Sequence, residues 1–198
     1  MGVTGATVSG ADLRLFVAVA VPAEVASSIE AAIDPWKSAL PGARWTPPER
    51  FHLTLRFLGP TAPGRIAWIE DQLARAATRR PPSVVGVRGL GAFPSRRRTR
   101  VLWVGLDDAD GALTGLAGGV RKAVAPEYPP DVRPFSPHVT VARCDPPIAL
   151  PAPDVAAALE IGSLAVREIS LVRSHLSATL RYETLASFPL GGVSLPSG

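Results

Sequence analysis

"FHLTLRFLG", Phe51 to Gly59, carries two patterns at once. Phe51, Leu53, Leu55 and Phe57 alternate, as expected of a β-strand that lays one face on a core. The other face carries His52 and Thr54, in a chain with only three histidines. The pattern recurs in "PHVTVARCD", Pro137 to Asp145, again as x-His-apolar-Thr-apolar and again with prolines just upstream. A strand period of two puts His138 and Thr140 on one face, and Val139 and Val141 on the other. A single His-x-Thr is the ordinary polar side of a half-buried strand. Two in the same setting point to paired strands, related by a pseudo-twofold, that bring both histidines to one cleft. Beyond the motif the copies diverge, with Arg56 in one and Ala142 in the other.

The flanking sequence predicts a mixed domain. "LRLFVAVAVP" (13–22) reads as a buried strand. "AEVASSIEAAIDPWKSAL" (23–40) has helical spacing, with Pro35 arguing for a break or kink. "ARWTPPER" is a turn-rich approach to the first motif. Residues 64–80 form an amphipathic helix with the stripe Ile66, Ile69, Leu73 and Ala76 or Ala77, ended by Pro81 and Pro82. "SVVGVRGLGAF" and "RVLWVGLD" are strands joined by "PSRRRT", and "GALTGLAGGVRKAVAPE" is a helix weakened by its glycines. The second motif is a short strand between proline-rich loops. "APDVAAALEIG" reads as a short helix, and "LAVREISLVRSHL" and "RYETLASFPL" as two closing strands. Hairpin-like strand pairs with helices between them give an α+β class. Residues 12–192 form one domain, and 1–11 and 193–198 are flexible tails.

Composition narrows the function. The net charge is +4, and arginine far outnumbers lysine, present only as Lys37 and Lys122. That balance suits an anionic partner and equally serves solubility. The single cysteine, Cys144, excludes an intrachain disulfide and a cysteine-based zinc cluster, and fits a reducing compartment. No apolar run reaches membrane-spanning length, and the N-terminal stretch is not patterned as a secretory signal. A cytoplasmic protein without a membrane contact is expected. No phosphate-binding glycine loop, dinucleotide fingerprint or metal-ligand motif is present, so no cofactor or metal is expected. The apolar stripes are all needed for one core, so the expected state is a monomer with no obligate protein partner.

Two histidines near neutrality can share acid–base work, one accepting a proton while the other gives one. Thr54 and Thr140 can donate hydrogen bonds to an anion between them, and Arg143 offers forked donors suited to phosphate oxygens. Together these describe metal-free phosphate-ester cleavage by water. Phe51 and Phe16 are candidates for stacking on a base, with core packing the alternative. Trp45 either rims the cleft or anchors its loop. Arg96, Arg97, Arg98 and Arg100 are either a solvated loop or a grip on RNA phosphates. His175 reads as a surface or strand-end histidine, and Cys144 as a small apolar filler.

The paired motifs, with "RLFVAVAVP", "GAFPSRRRTRVLWVGL" and "EISLVRSHL", resemble the 2H phosphoesterase superfamily, in particular the RNA 2′,3′-cyclic phosphodiesterases once described as 2′-5′ RNA ligases. The resemblance covers roughly residues 13 to 190. It implies a bilobal fold, with an antiparallel sheet and outer helices in each lobe and a central cleft. It implies hydrolysis of RNA ends bearing a 2′,3′-cyclic phosphate, tRNA fragments among them, to a 2′-phosphate, with reverse 2′-5′ ligation. It implies His52 as proton donor, His138 as proton acceptor, and Thr54, Thr140 and Arg143 around the phosphate. Two other functions compete: a phosphoesterase for a small cyclic nucleotide or oligoadenylate, and a noncatalytic nucleotide- or RNA-binding module. Two intact proton carriers argue against the last.

Overall fold

The computed structural model describes residues 12–129, 134–150, 159–176 and 180–191. The two expected tails and most of the helix expected within 152–162 lie outside them. Among the described residues, nine strands make one sheet, in the order β7-β4-β5-β6-β3-β1-β8-β9, with β2 added beside β6. The strands are β1 (Leu13–Ala20), β2 (Ala43–Trp45), β3 (His52–Thr61), β4 (Ser83–Phe93), β5 (Thr99–Leu106), β6 (His138–Ile148), β7 (Glu160–Val166), β8 (Glu168–His175) and β9 (Arg181–Pro189). All their pairings are antiparallel. The order reads as two four-stranded halves, one ending in β6 and the other in β3. They meet at a single register pair, Leu53 with Val139. These are the middle residues of the two His-x-Thr motifs, so the local twofold passes through the motifs themselves.

Helices α1 (Ala23–Ala39), α2 (Ile66–Thr78) and α3 (Ala112–Val124) cover the sheet face opposite the two histidines. The core they close includes Ile29, Ile33, Ile69, Leu73, Leu113 and Val120, packed on Leu53, Val139 and Val141. Pro35 does not end α1, which runs through it. Ala31, whose carbonyl the proline leaves without its usual donor, is exposed, so water can satisfy it. The glycines of α3 are offset at its start. Asp108 accepts hydrogen bonds from the Leu113 and Thr114 amides at 2.7 and 2.9 Å, while Gly111 takes the left-handed conformation at φ 68°. None of the helices among the described residues is long and apolar enough to cross a membrane.

Three expectations fail in instructive ways. "LAVREISLVRSHL" is two strands rather than one, divided at Arg167, because β7 pairs with β4 and β8 with β1 on opposite halves of the sheet. Glu160 to Gly162, expected in a helix, open β7. "ARW" is a strand, recruited by β6 where β3 has already diverged from it.

Candidate active site

Each motif strand carries a β-bulge at the same place. Val17 pairs with Arg56 and Ala18 with Thr54, leaving Leu55 as an extra residue on β3. Leu102 pairs with Ala142 and Trp103 with Thr140, leaving Val141 extra on β6. A bulge resets the alternation of side chains. Residues three beyond each threonine, which strict alternation would bury with the core, turn to the cleft instead. They are Phe57 and Arg143. Phe57, expected in the core, is 60% exposed for this reason.

The cleft holds about 1270 Å³. His52, Thr54, His138 and Thr140 all line it. Because the motifs cross antiparallel at Leu53 and Val139, each histidine sits across from the other motif's threonine. Four polar groups thus surround one spot. Phe16 and Arg143 also line the cleft, whereas Phe51 is 3% exposed in the core and does not reach it. Trp45 does both things the sequence allowed: it lines the cleft and packs against the core. Of the 96–100 arginines, Arg100 lines the cleft, paired with Asp145 at 3.7 Å. His175 lies at the end of β8, bonded to Glu183 at 2.6 Å, and Cys144 is buried.

The two histidines are held alike. His52 Nδ1–H donates to the Arg50 carbonyl at 2.8 Å, and His138 Nδ1–H to the Ser136 carbonyl at 2.6 Å. A carbonyl only accepts, so each bond fixes the proton on Nδ1 and leaves Nε2 as the reactive nitrogen. Pro47 and Pro48 open the turn that ends at Arg50, and Pro137 stands between Ser136 and His138. Each ring is also braced by aromatics, of which only Phe16 stood out in the sequence. His52 packs against Phe16 (5.0 Å between centroids) and Tyr182 (5.2 Å), and His138 against Phe93 (5.1 Å) and Trp103 (6.0 Å). Burial lowers both histidine pKa values from 6.5. The carbonyl hydrogen bonds work the other way, and the charge of Arg143 lowers both further, joined at His52 by that of His138.

Among the described residues, seven arginines and no carboxylate line the cleft. A pair of imidazoles whose Nε2 atoms have no hydrogen-bond partner, two hydroxyls beside them and a surplus of fixed positive charge suit acid–base chemistry on an anion.

Residues 19–103 match the LigT-like phosphoesterase family. An RNA 2′,3′-cyclic phosphodiesterase of Thermus thermophilus is 35% identical over 193 residues, covering 91% of this chain and 91% of the relative. Another of the same name, from Geobacillus stearothermophilus, is 34% identical over 89% of this chain, which spans only 57% of that relative's length. The crystal structure of LigT from E. coli with 3′-AMP superposes with a TM-score of 0.72 at 28% identity, covering 91% of this chain and 99% of that one. The chain belongs to the LigT-like phosphoesterases of the 2H superfamily.

Proposed function

We propose that the chain is an RNA 2′,3′-cyclic phosphodiesterase, opening a terminal cyclic phosphate to a 2′-phosphate without a metal. The single observation that carries this reading is the crossing of the two motifs at Leu53 and Val139, with all four polar side chains in one cleft. The names of the Thermus and Geobacillus relatives supply the substrate.

In the proposed reaction, His138 Nε2 takes a proton from water as the water oxygen attacks phosphorus. The P–O3′ bond breaks, and His52 Nε2 gives its proton to the departing oxygen. Thr54 and Thr140 hold the non-bridging oxygens, and Arg143 balances their charge. Phe57 offers the exposed aromatic face for the terminal base, with Phe16 and Tyr182 behind it. Phe16 is only 4% exposed, which suits a supporting ring better than a stacking one. With the 5′-hydroxyl of a second RNA end in place of water, the same attack, with the same P–O3′ bond breaking, joins a 2′-5′ linkage; abundant water favours hydrolysis.

RNA oligonucleotides ending in 2′,3′-cyclic phosphate, incubated with the protein in EDTA, test the reading. A 2′-phosphate product lost in both His52→Ala and His138→Ala supports it. Turnover that survives in either variant sinks the paired-histidine mechanism. Turnover of mononucleotides alone would favour a small cyclic nucleotide as substrate.

A further inference from the structure

The cleft holds more positive charge than one cyclic phosphate needs. Four of its arginines are engaged within the protein. Arg50 donates to the Leu180 carbonyl at 3.0 Å, Arg56 to the carbonyls of Tyr128 and Pro129, Arg100 pairs with Asp145, and Arg121 lies over the Phe135 ring. Among the described residues, Arg14, Arg44 and Arg143 have no hydrogen-bond or ion-pair partner. Two of these three are neighbours. Arg44 on β2 is the direct register partner of Arg143 on β6.

Like charges directly opposite on paired strands destabilise a sheet. Here the pair stands at the seam where β3 has left β6 and β2 has taken its place. Arg143 follows the second motif on the same strand, within reach of the reacting phosphate. Arg44 comes from another strand, beside Arg143 and outside the four polar groups of the motifs. A cyclic phosphodiester carries one negative charge, which Arg143 already matches. An unpaired guanidinium next to it fits a second anion one step along the substrate.

We propose that Arg44 forms a second phosphate subsite, which takes the internucleotide phosphate adjoining the terminal nucleotide. The site is therefore built for an oligonucleotide end rather than a free cyclic mononucleotide. This rests on the phosphodiesterase reading above.

The test compares kcat/KM for three substrates: a nucleoside 2′,3′-cyclic phosphate, a dinucleotide with the same end, and that dinucleotide with a neutral methylphosphonate linkage. The wild-type protein should favour the phosphodiester dinucleotide over both others. R44Q should cut the ratio of dinucleotide to mononucleotide by about tenfold, the worth of one charge-assisted hydrogen bond. Its dependence on salt should weaken too, by about 0.7 in the log–log slope. Ligand-free R44Q should melt no lower than wild type, because a repulsion is relieved, so the loss would be one of recognition. An unchanged ratio in R44Q overturns the subsite, as does an equal wild-type preference for the methylphosphonate. A selective loss in R14Q instead would move the subsite to the other end of the cleft and overturn the assignment to Arg44. No turnover of any substrate by the wild-type protein would defeat the parent reading.

Discussion

The two halves of the cleft share their backbone and differ in what they display. β3 and β6 carry the same bulge after the same His-x-Thr, and their histidines make the same hydrogen bond to a carbonyl two residues back. Yet the residue each bulge turns outward is Phe57 on one side and Arg143 on the other. Phe57 packs on Phe16, which in turn packs on Tyr182; Arg143 has Arg44 across from it. In the proposed reaction the duplicated part supplies the proton chemistry, for which in-line attack needs a group on each side of phosphorus, and the part that differs gives the substrate a direction, with its base toward β3 and its charge toward β6.

The symmetric part should fail symmetrically. His52→Ala and His138→Ala should each cost about 10²–10⁴-fold in kcat. The double variant should be little worse than either single one, since acid and base act in one transition state. Single-turnover rates on a cyclic-phosphate oligonucleotide decide this. A tenfold difference between the two single variants would show that one histidine acts alone.

The asymmetric part should fail in two distinct ways. Phe57→Ala should raise KM by about 5- to 150-fold, the worth of about 1–3 kcal/mol of stacking, and leave kcat close to wild type. Arg143→Gln should lower kcat/KM by at least about tenfold, with kcat falling as well, because its charge faces the reacting phosphate. If both variants affect KM alone, Arg143 serves binding and the proposed polarity of the cleft is lost.

The pH profile sharpens the same contrast. The proposed reaction needs one imidazolium and one neutral imidazole. Burial and Arg143 lower both pKa values from 6.5, so in the free enzyme both rings are neutral above that value. The alkaline limb of kcat/KM should therefore fall below pH 6.5. Arg143→Gln removes a charge that lowers both, so the limb should move upward. A limb that stays put would mean that the arginine charge does not reach the histidines.

His52, Thr54, His138 and Thr140 were legible in the sequence because the period of two is local and the motif is repeated. Their meeting was an inference from that repeat, and it depends on one register pair that no local pattern specifies. Arg143 was recognised by its chemistry, although strict alternation from His138 puts it on the core face. The same alternation assigned Phe57 to the core. A bulge is a property of two strands, since the extra residue exists only relative to the partner, and neither β1 nor β5 announces it. Aligning the motifs would have set Phe57 against Arg143 and raised the question. Arg44 was hidden for a similar reason: a three-residue strand has no period to read, and its neighbour lies far along the chain. Tyr182, Phe93 and Trp103 looked like ordinary strand aromatics, and only tertiary packing brings them to the imidazoles.

The smallest expected effect concerns how His138 is braced. On the β6 side the indole of Trp103 lies across Gly91, its strand partner, where a Cβ would come within 2.1 Å of the ring. Phe93 packs on the same indole at 5.3 Å and on His138 at 5.1 Å. No equivalent glycine contact supports Tyr182 among the described residues on the β3 side. Gly91→Ala should therefore push Trp103 aside, costing about 1–3 kcal/mol of stability through overpacking. It should also lower kcat through the His138 ring while leaving the nucleotide KM set by Phe57 little changed. Gly64→Ala, with nothing within 4 Å of its new Cβ, is the control for a simple loss of glycine. Adding Trp103→Leu to Gly91→Ala should recover part of the lost stability, because the two changes share one volume. If that pair is additive in the melting temperature, the indole does not depend on Gly91, and the bracing of His138 rests on Phe93 alone.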